Sequence, residues 1–355
     1  MSNPTPVHFV GSLPLPNAAA AFDHINSALP DPGILKRITD GETGARSLFV
    51  LWQSSVFRDA GLGPVLMNTF KPDGWKCHSK QEVEATMQGM PPLQTQYDIE
   101  AIKSYETFRE LREKGKIPGD VKFQVSIPAP DNFLATQVQP DFQAPLAPLY
   151  HEALIRAIRN MQDHIPHEHL AIQLDVAHEM SLLHDAVYKE FLGPVAYLPV
   201  KSGKQVVMPI IVDKIVRMAN AVERDVELGF HFCYGDAFDK HFLEPTDTAM
   251  IAEVAVEILS RLRRPVTWIH FPVPKDRIDE AYFTPLKATL MPKLDCSTEL
   301  YAGLIHPHDL EGTKKRLAVA RKVLGNNIGI STECGLGRKN QEWLDSVLEI
   351  ARAVQ

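Results

Sequence analysis

Residues 226–235 read Val226-Glu-Leu-Gly-Phe-His-Phe-Cys-Tyr-Gly235, a short apolar run that ends in polar and metal-binding side chains. Apolar and aromatic residues in a run of this length predict a buried β-strand. A helix is predicted just before it, over Pro209–Arg224, because the apolar residues there recur at close to 3.6-residue spacing. A helix that leads into a buried strand is typical of a parallel α/β sheet.

The same strand–helix unit recurs along the chain. Eight runs predict strands and helical patterns separate most of them, so the sequence predicts an α/β fold that closes into a single (β/α)8 TIM barrel. The predicted strands are Val7–Leu13, Ile34–Asp40, Val121–Ile127, Leu170–Ala177, Val226–Tyr234, Val266–Pro272, Leu300–His306 and Ile328–Glu333. The clearest helices are Asn17–Leu29, Ser104–Lys114, Leu149–Asp163, Pro209–Arg224, Thr248–Arg263, His308–Val323 and Gln341–Val354.

One barrel domain is predicted over residues 1–355, because no interdomain linker or internal repeat interrupts the pattern. Residues 58–104 are rich in proline, glycine and methionine, and we predict that they form an insertion over the C-terminal face of the barrel. Residues 137–149 and 193–208 are predicted to be further loops.

Composition and charge exclude several classes of protein. The chain has 355 residues, of which 45% are hydrophobic and 23% charged, the balance of a globular protein with a sizeable core. A formal net charge of −7 and the lack of a Lys/Arg run predict that it does not bind nucleic acid. No apolar stretch reaches the ~18 residues that a membrane span needs. The N-terminus has no basic and apolar leader, so we expect a cytoplasmic protein.

Polar side chains follow the predicted strands at the point where each strand ends. In an α/β barrel the C-terminal ends of the strands meet at one face, which carries the active site. Strands that each deliver polar groups to this face support the barrel better than the strand count alone. The residues concerned are Ser12, Asp40, Glu42, Asp131, Asp175, His231, Cys233, His270, His306, His308, Glu333 and Cys334.

A set of metal ligands stands out among these residues. His231 and Cys233 are two positions apart on a strand, so their side chains point to the same side, which is inward if Phe232 packs outward. Cys334 follows the last strand and reaches the same rim. One histidine and two cysteines suit a catalytic zinc site with an open position. A buried histidine and two inert thiols are the alternative, but the position at the barrel face favours Zn²⁺.

The order of these motifs resembles the C-terminal catalytic barrel of the cobalamin-independent methionine synthases, within the wider uroporphyrinogen decarboxylase and methionine synthase-like superfamily. Two matches are specific. His231-Phe-Cys-Tyr-Gly235 is similar to the His-x-Cys-Tyr of the family, and Glu333-Cys-Gly-Leu-Gly-Arg338 to its closing Asp-Cys-Gly-Leu-x-x-Arg. Supporting matches are Val10-Gly-Ser-Leu-Pro14, Gly41-Glu-Thr-Gly-Ala-Arg46 and Ile172-Gln-Leu-Asp175.

The resemblance also implies that His231, Cys233 and Cys334 bind zinc. On the sixth strand, where the family supplies a glutamate as the remaining ligand, this chain has His270. Either His270 takes the place of that glutamate as a metal ligand, or the fourth protein ligand is absent.

Further residues are assigned to the substrates. The resemblance implies that Ser12 and Asp175 face a thiol substrate and that His308 helps proton transfer at the barrel mouth. Glu42 is another candidate for binding substrate, with capping of the next helix as the alternative. No acidic residue closely follows Arg46, where the family binds the amino group of homocysteine. The sequence therefore predicts a small-molecule thiol and an alkyl donor as partners without assigning homocysteine or folate.

The expected reaction follows from the ligand set. An exchangeable zinc position can bind a substrate thiol and remove its proton, and the thiolate then attacks an alkyl carbon. Two protein thiolates neutralise the zinc charge, which favours transfer of a methyl or other alkyl group over activation of water. The first alternative is a zinc-dependent hydrolase or lyase that acts on a small molecule, with Asp175 or His308 as general base. The second is a barrel that binds a ligand without catalysis.

Overall fold

A computed structural model of the chain describes residues 4–66, 76–184, 195–235, 241 and 243–355. Its parallel strands form one sheet. They are β1 (Val7–His8), β2 (Arg37–Thr39), β3 (Lys122–Pro128), β4 (Leu170–Val176), β5 (Glu227–Phe232), β6 (Trp268–Pro272), β7 (Glu299–Ile305) and β8 (Gly329–Thr332).

The strands lie around the sheet in the order β1-β8-β7-β6-β5-β4-β3-β2, with every pairing parallel. A parallel bridge between Val7 and Leu35 joins the two ends of the sheet, and the Val7 N–H donates to the Ile34 carbonyl at 2.8 Å. Each strand overlaps a predicted strand, so the predicted single (β/α)8 barrel is confirmed.

Helices connect the strands and surround the sheet. Asn17, Asp309 and Asn340 fix the starts of three of them, because each side chain accepts a hydrogen bond from the N–H three residues ahead. No helix among the described residues is long and apolar enough to cross a membrane. The α-helices are α1 (Ala18–Ala28), α2 (Trp52–Asp59), α3 (Lys80–Gln88), α4 (Tyr97–Glu113), α5 (Asp131–Gln137), α6 (Pro140–His164), α7 (His178–Leu183), α8 (Lys204–Ala219), α9 (Ala249–Arg261), α10 (Glu280–Pro285), α11 (Leu310–Leu324) and α12 (Gln341–Ala353).

Helix α6 differs from the sequence prediction. The prolines of residues 137–149 predict a loop, but the structure has one helix of 25 residues that begins at Pro140 and continues through Pro145 and Pro148. Pro140 lies in the first turn, where a missing N–H costs nothing. Leu146 on the inner face is fully buried. Burial of this face outweighs the hydrogen bonds lost at the later prolines.

The predicted insertion at residues 58–104 is partly helical. It contains α3, and α4 begins at Tyr97 instead of Ser104. Tyr97 and Ala101 are buried against the barrel, so packing extends this helix beyond its sequence signal. In the same way α8 begins at Lys204, inside the predicted loop at residues 193–208. Residues 67–75 and 193–194 lie outside the described residues.

Ion pairs close the N-terminal end of the barrel. Arg37, at the start of β2, pairs with Glu227 of β5 at 2.5 Å and with Glu299 of β7 at 2.9 Å, and its guanidinium lies 4.2 Å from the centre of the Trp268 ring. The indole also occupies the space beside Gly229, where a Cβ atom would lie 1.9 Å from the Trp268 ring. This end is filled by structural contacts, which leaves the opposite face of the barrel for a functional site.

Candidate metal centre

The three residues predicted from the ligand pattern come together at the C-terminal face. His231 lies on β5, Cys233 follows the end of that strand, and Cys334 follows β8. The Cys233 N–H donates to the Val176 carbonyl at 3.0 Å, which continues the β4–β5 register by one residue, and Phe232 between the two ligands is fully buried. The potential ligand atoms of His231, Cys233 and Cys334 all lie within 4.8 Å of one another.

The chemistry of this donor set fits zinc. The two sulfur atoms of Cys233 and Cys334 are 3.8 Å apart, too far for a disulfide. Two Zn–S bonds of ~2.3 Å at a tetrahedral angle place their sulfur atoms ~3.8 Å apart. Soft thiolates combined with an imidazole nitrogen are the ligands that zinc prefers over magnesium or calcium. His231, Cys233 and Cys334 could therefore hold a zinc ion with little rearrangement.

The site stabilises thiolate in place of thiol. The hydrogen bond from Cys233, with further contributions from His231 and the charge of Arg338, lowers the pKa of Cys334 well below its usual range despite burial. Burial alone would lower the pKa of His231, but its hydrogen bond to Cys334 and the charge of Asp175 raise it. The Gly235 N–H donates to the Cys233 sulfur at 3.2 Å. A bound metal ion would therefore take the place of the protons that His231, Cys233 and Cys334 share.

His270, the candidate fourth ligand, lies behind His231. It is the register partner of His231 on β6, and the two Nδ1 atoms are 2.7 Å apart. The Nε2 atom of His270 is 3.0 Å from the Thr332 carbonyl oxygen. Both ring nitrogens are thus engaged, and the structure does not bring His270 into the group of ligand atoms. Burial lowers the pKa of His270 well below its usual value, so the ring is neutral.

Two buried carboxyl groups, those of Asp175 and Glu42, lie near the metal centre. Asp175, at the end of β4, is the register partner of His231, and burial raises its pKa to about 7. Glu42 follows β2, and burial followed by the charges of Asp175 and Asp40 raises its pKa well above the usual range. Gly11 allows this approach, because a Cβ there would lie 2.8 Å from a Glu42 oxygen. Glu42 and Asp175 therefore form an acidic pair that can hold a proton or a cationic group.

Asp40 and Ser12 organise the loops around this pair. Asp40 accepts hydrogen bonds from the Glu42 N–H and from Arg46, both at 2.8 Å, and so fixes the turn that carries Glu42. The Ser12 hydroxyl accepts from the Gly337 N–H at 3.2 Å. Ser12 thereby contacts the loop that carries Cys334, and its assignment to the thiol substrate stays a prediction.

His306 and His308 take different positions. His308 has φ +60°, its side chain is 53% exposed, and its nearest acidic partner is Glu342 at 3.9 Å. The side chain of His306 is only 13% exposed: its Nε2 donates to the Val273 carbonyl at 3.0 Å, and its Nδ1 lies 3.7 Å from Glu333. The turn at Pro307 directs the second histidine outward. Of the two, His306 lines the same cleft as Cys233 and Cys334, and the role of His308 in proton transfer stays a prediction.

A cleft of about 500 Å³ opens directly beside Cys233 and Cys334. His306, His241 and Glu333 line it. Burial would lower the pKa of His241, but its hydrogen bond to Glu333 and the charge of that residue raise the pKa to about 9. Burial lowers the pKa of His306 to about 4. The cleft therefore carries one cationic and one neutral imidazole on either side of a carboxylate.

Comparison with solved structures identifies relatives of the fold. A B12-independent methionine synthase from Shewanella sp. W3-18-1, determined in complex with selenomethionine, aligns over 99% of this chain and 97% of its own chain, with a TM-score of 0.56 and 14% identity. A methyltransferase from Methanosarcina mazei aligns over 99% and 94%, with a TM-score of 0.49 and 12% identity. No protein-family model and no curated protein matches the sequence. The barrel fold is therefore shared with the methionine synthase over almost the whole of both chains.

The sequence analysis did not identify His241 as part of the wall of the cleft. His241 belongs to no motif and follows no strand directly, so no pattern connects it with Glu333, which lies 3.4 Å away. Glu333 stands out as a polar residue at the end of the eighth strand and as the first residue of the closing motif, but neither feature points to His241. The two residues are far apart in the sequence, so no local pattern predicts their pairing.

Proposed function

We propose that this chain is a zinc-dependent enzyme that transfers a methyl or other alkyl group to the thiol of a small molecule, and that it belongs to the methionine synthase-like superfamily. The observation that carries the proposal is the convergence of His231, Cys233 and Cys334, with sulfur atoms 3.8 Å apart, at the C-terminal face of a barrel. The fold likeness to a methionine synthase supports it.

The ligand set favours alkyl transfer over hydrolysis. Bound zinc would supply a Lewis acid that lowers the pKa of a substrate thiol. Cys233 and Cys334 contribute two negative charges, which cancel the charge of the ion and leave a site better suited to a nucleophilic thiolate than to activation of water. The protein orients the two substrates and partly excludes water from the pocket.

Asp175 and Glu42 provide the acid–base chemistry on the thiol side. A carboxyl group with a pKa of about 7 can accept a proton near neutral pH and release it to solvent. The same acidic pair would hold a cationic group on the acceptor molecule. Asp175 therefore contacts the thiol substrate in this proposal, with Glu42 beside it.

The cleft beside the cysteines provides the place for the alkyl donor. It adjoins both sulfur atoms and has room for a small organic molecule. His306 lies on its wall, where its neutral imidazole can relay a proton from the cationic His241, on the other side of Glu333, to the departing group. Catalysis in this arrangement comes mainly from holding the substrate thiolate and the alkyl carbon within reach of each other beside Cys233 and Cys334.

A zinc-dependent hydrolase or lyase is the second candidate. One observation favours it: the raised pKa of Asp175 is also that of a general base for water. The products distinguish the two, because alkyl transfer yields one thioether per donor consumed and hydrolysis yields none.

Elemental analysis of the purified protein is the first experiment. We expect about one zinc per chain in the wild type and loss of most of it in Cys334→Ser. Cys296→Ser is the matched control, because Cys296 is exposed and remote from the site, and it should retain the metal. The zinc-loaded protein is then incubated with small thiols and methyl donors, and thioether formation is followed by mass spectrometry. Absence of zinc from supplemented wild-type protein would refute the proposal.

A further inference from the structure

His270 has no assigned role once its ring nitrogens are both engaged, although it lies directly against the ligand His231. Its side chain is fully buried. It contacts the ligand His231 on one side and the backbone of Thr332 on the other, at 2.7 Å and 3.0 Å. The remaining titratable group beside it is His8, with ring centres 5.9 Å apart. Among the described residues, no carboxylate forms a hydrogen bond or an ion pair with this ring.

The two hydrogen bonds of His270 determine where its proton lies. A carbonyl oxygen only accepts, so the bond to Thr332 requires a proton on Nε2 of His270. A neutral imidazole has one donor and one acceptor nitrogen. A second proton on a buried ring without an acidic partner is unfavourable. The Nδ1 atom of His270 is therefore the acceptor.

The same bond fixes the ring of His231. Because Nδ1 of His270 accepts, Nδ1 of His231 must donate. The lone pair available to a metal then lies on Nε2 of His231, on the side of the ring away from His270. Thr332, which holds His270, precedes Cys334 by two residues, and its hydroxyl donates to the Cys334 carbonyl at 2.8 Å. One short segment thus positions a cysteine ligand directly and the histidine ligand through His270.

We propose that His270 is a positioning residue that holds the Nδ1–H of His231 and so presents Nε2 of His231 to the metal, in place of acting as a ligand itself. Partners of this kind orient a ligand histidine and fix which nitrogen binds. The inference rests on the proposed metal centre, but the proton positions it requires are a property of the metal-free protein as well.

Nitrogen-15 NMR of histidine-labelled, metal-free full-length protein tests the proton positions without zinc. We expect a neutral His270 with its proton on Nε2 and a His231 that is protonated on Nδ1. A His270 protonated on Nδ1 would overturn the inference. Because this readout needs no metal, it stands apart from the proposed function, which fails if the wild type binds no zinc.

Zinc affinity by chelator competition tests the consequence. His270→Leu removes the acceptor, and we expect affinity to fall about 10- to 100-fold. His270→Gln keeps an acceptor and a donor on one side chain, so it should recover most of that loss. The control is His151→Gln, at a buried histidine that also bonds a backbone carbonyl but lies between α6 and α8. Unchanged affinity in His270→Leu, or an equal loss in His151→Gln, would remove the positioning role.

Discussion

Asp175 on β4 is the register partner of His231 on β5, so a carboxyl group stands beside a metal-binding imidazole at the mouth of the barrel. Gln173 holds Asp175 in place through a 2.8 Å hydrogen bond from its amide. The carboxyl group has a pKa near neutrality and is partly open to the barrel mouth, whereas the imidazole is buried. Through Asp175 and His231, the metal centre adjoins the region proposed to bind the substrate thiol.

Replacement of Asp175 should impair catalysis and leave the metal in place. Asp175→Asn removes the proton acceptor near the thiol, and we expect kcat/KM to fall by about 100-fold or more. Zinc content should remain that of the wild type. Steady-state kinetics and elemental analysis of the same preparation measure both quantities. Asp163→Asn, at an exposed position on α6, is the control; similar kinetics for the two variants would exclude the assigned role.

The two neighbouring histidines should differ in their effect on turnover. His306 lines the cleft, whereas the side chain of His308 is directed to solvent. His306→Gln should lower kcat by at least about 10-fold, as expected for loss of a proton-transfer group. His308→Gln should stay within about 2-fold, since an exposed side chain that touches no substrate contributes little. The reverse result would favour His308, the residue assigned to proton transfer from the sequence resemblance.

Gly229 should be intolerant of a methyl group. A Cβ atom at this position would lie 1.9 Å from the Trp268 ring, and the indole is confined by Arg37. Gly229→Ala should therefore reduce the free energy of unfolding by about 3 kcal/mol, as measured by chemical denaturation. Gly119→Ala is the control, because no atom lies within 4 Å of its added Cβ. If Trp268→Phe does not recover part of the loss in a double variant, the steric explanation fails.

The buried His8 should make the protein sensitive to acid. Burial lowers the pKa of His8 to about 3, whereas an unfolded histidine has a pKa of ~6.5. The unfolded state therefore binds the additional proton first, so stability is present above pH ~6.5 and is lost as the pH falls toward 3. Between pH 7 and pH 5 this group accounts for about 2 kcal/mol. Denaturant unfolding at both pH values measures the loss.

Between pH 7 and pH 5 the wild type and His8→Gln should both lose free energy of unfolding. The loss in His8→Gln should be smaller than that of the wild type by about 2 kcal/mol. His164→Gln, at an exposed histidine on α6, should keep the wild-type loss. Equal losses in His8→Gln and the wild type would show that another group controls the acid response.

The barrel can be predicted from the sequence because the evidence for each of its strands is local. Each strand is a short buried run, and His231 and Cys233 share a side through the two-residue period of a strand. The role of His270 was not accessible in this way, because it depends on which ring nitrogen faces the Thr332 carbonyl. The sequence predicts the start of helix α6 too late for a related reason. Pro145 and Pro148 have a low intrinsic helix propensity, but tertiary packing stabilises the helix through them.

The closure of the barrel between β1 and β2 has a consequence for local opening. β1 has two residues, and a single bridge at Val7 joins it to the segment that leads into β2. Ser12 and Glu42 follow these two strands, whereas His231 and Cys233 belong to β5 and its end, and β5 pairs with β4 and β6. Amide hydrogen exchange should therefore begin at this seam, because few hydrogen bonds must break there. Opening at this seam would displace the segments that carry Ser12 and Glu42, while β5 keeps His231 and Cys233 in place.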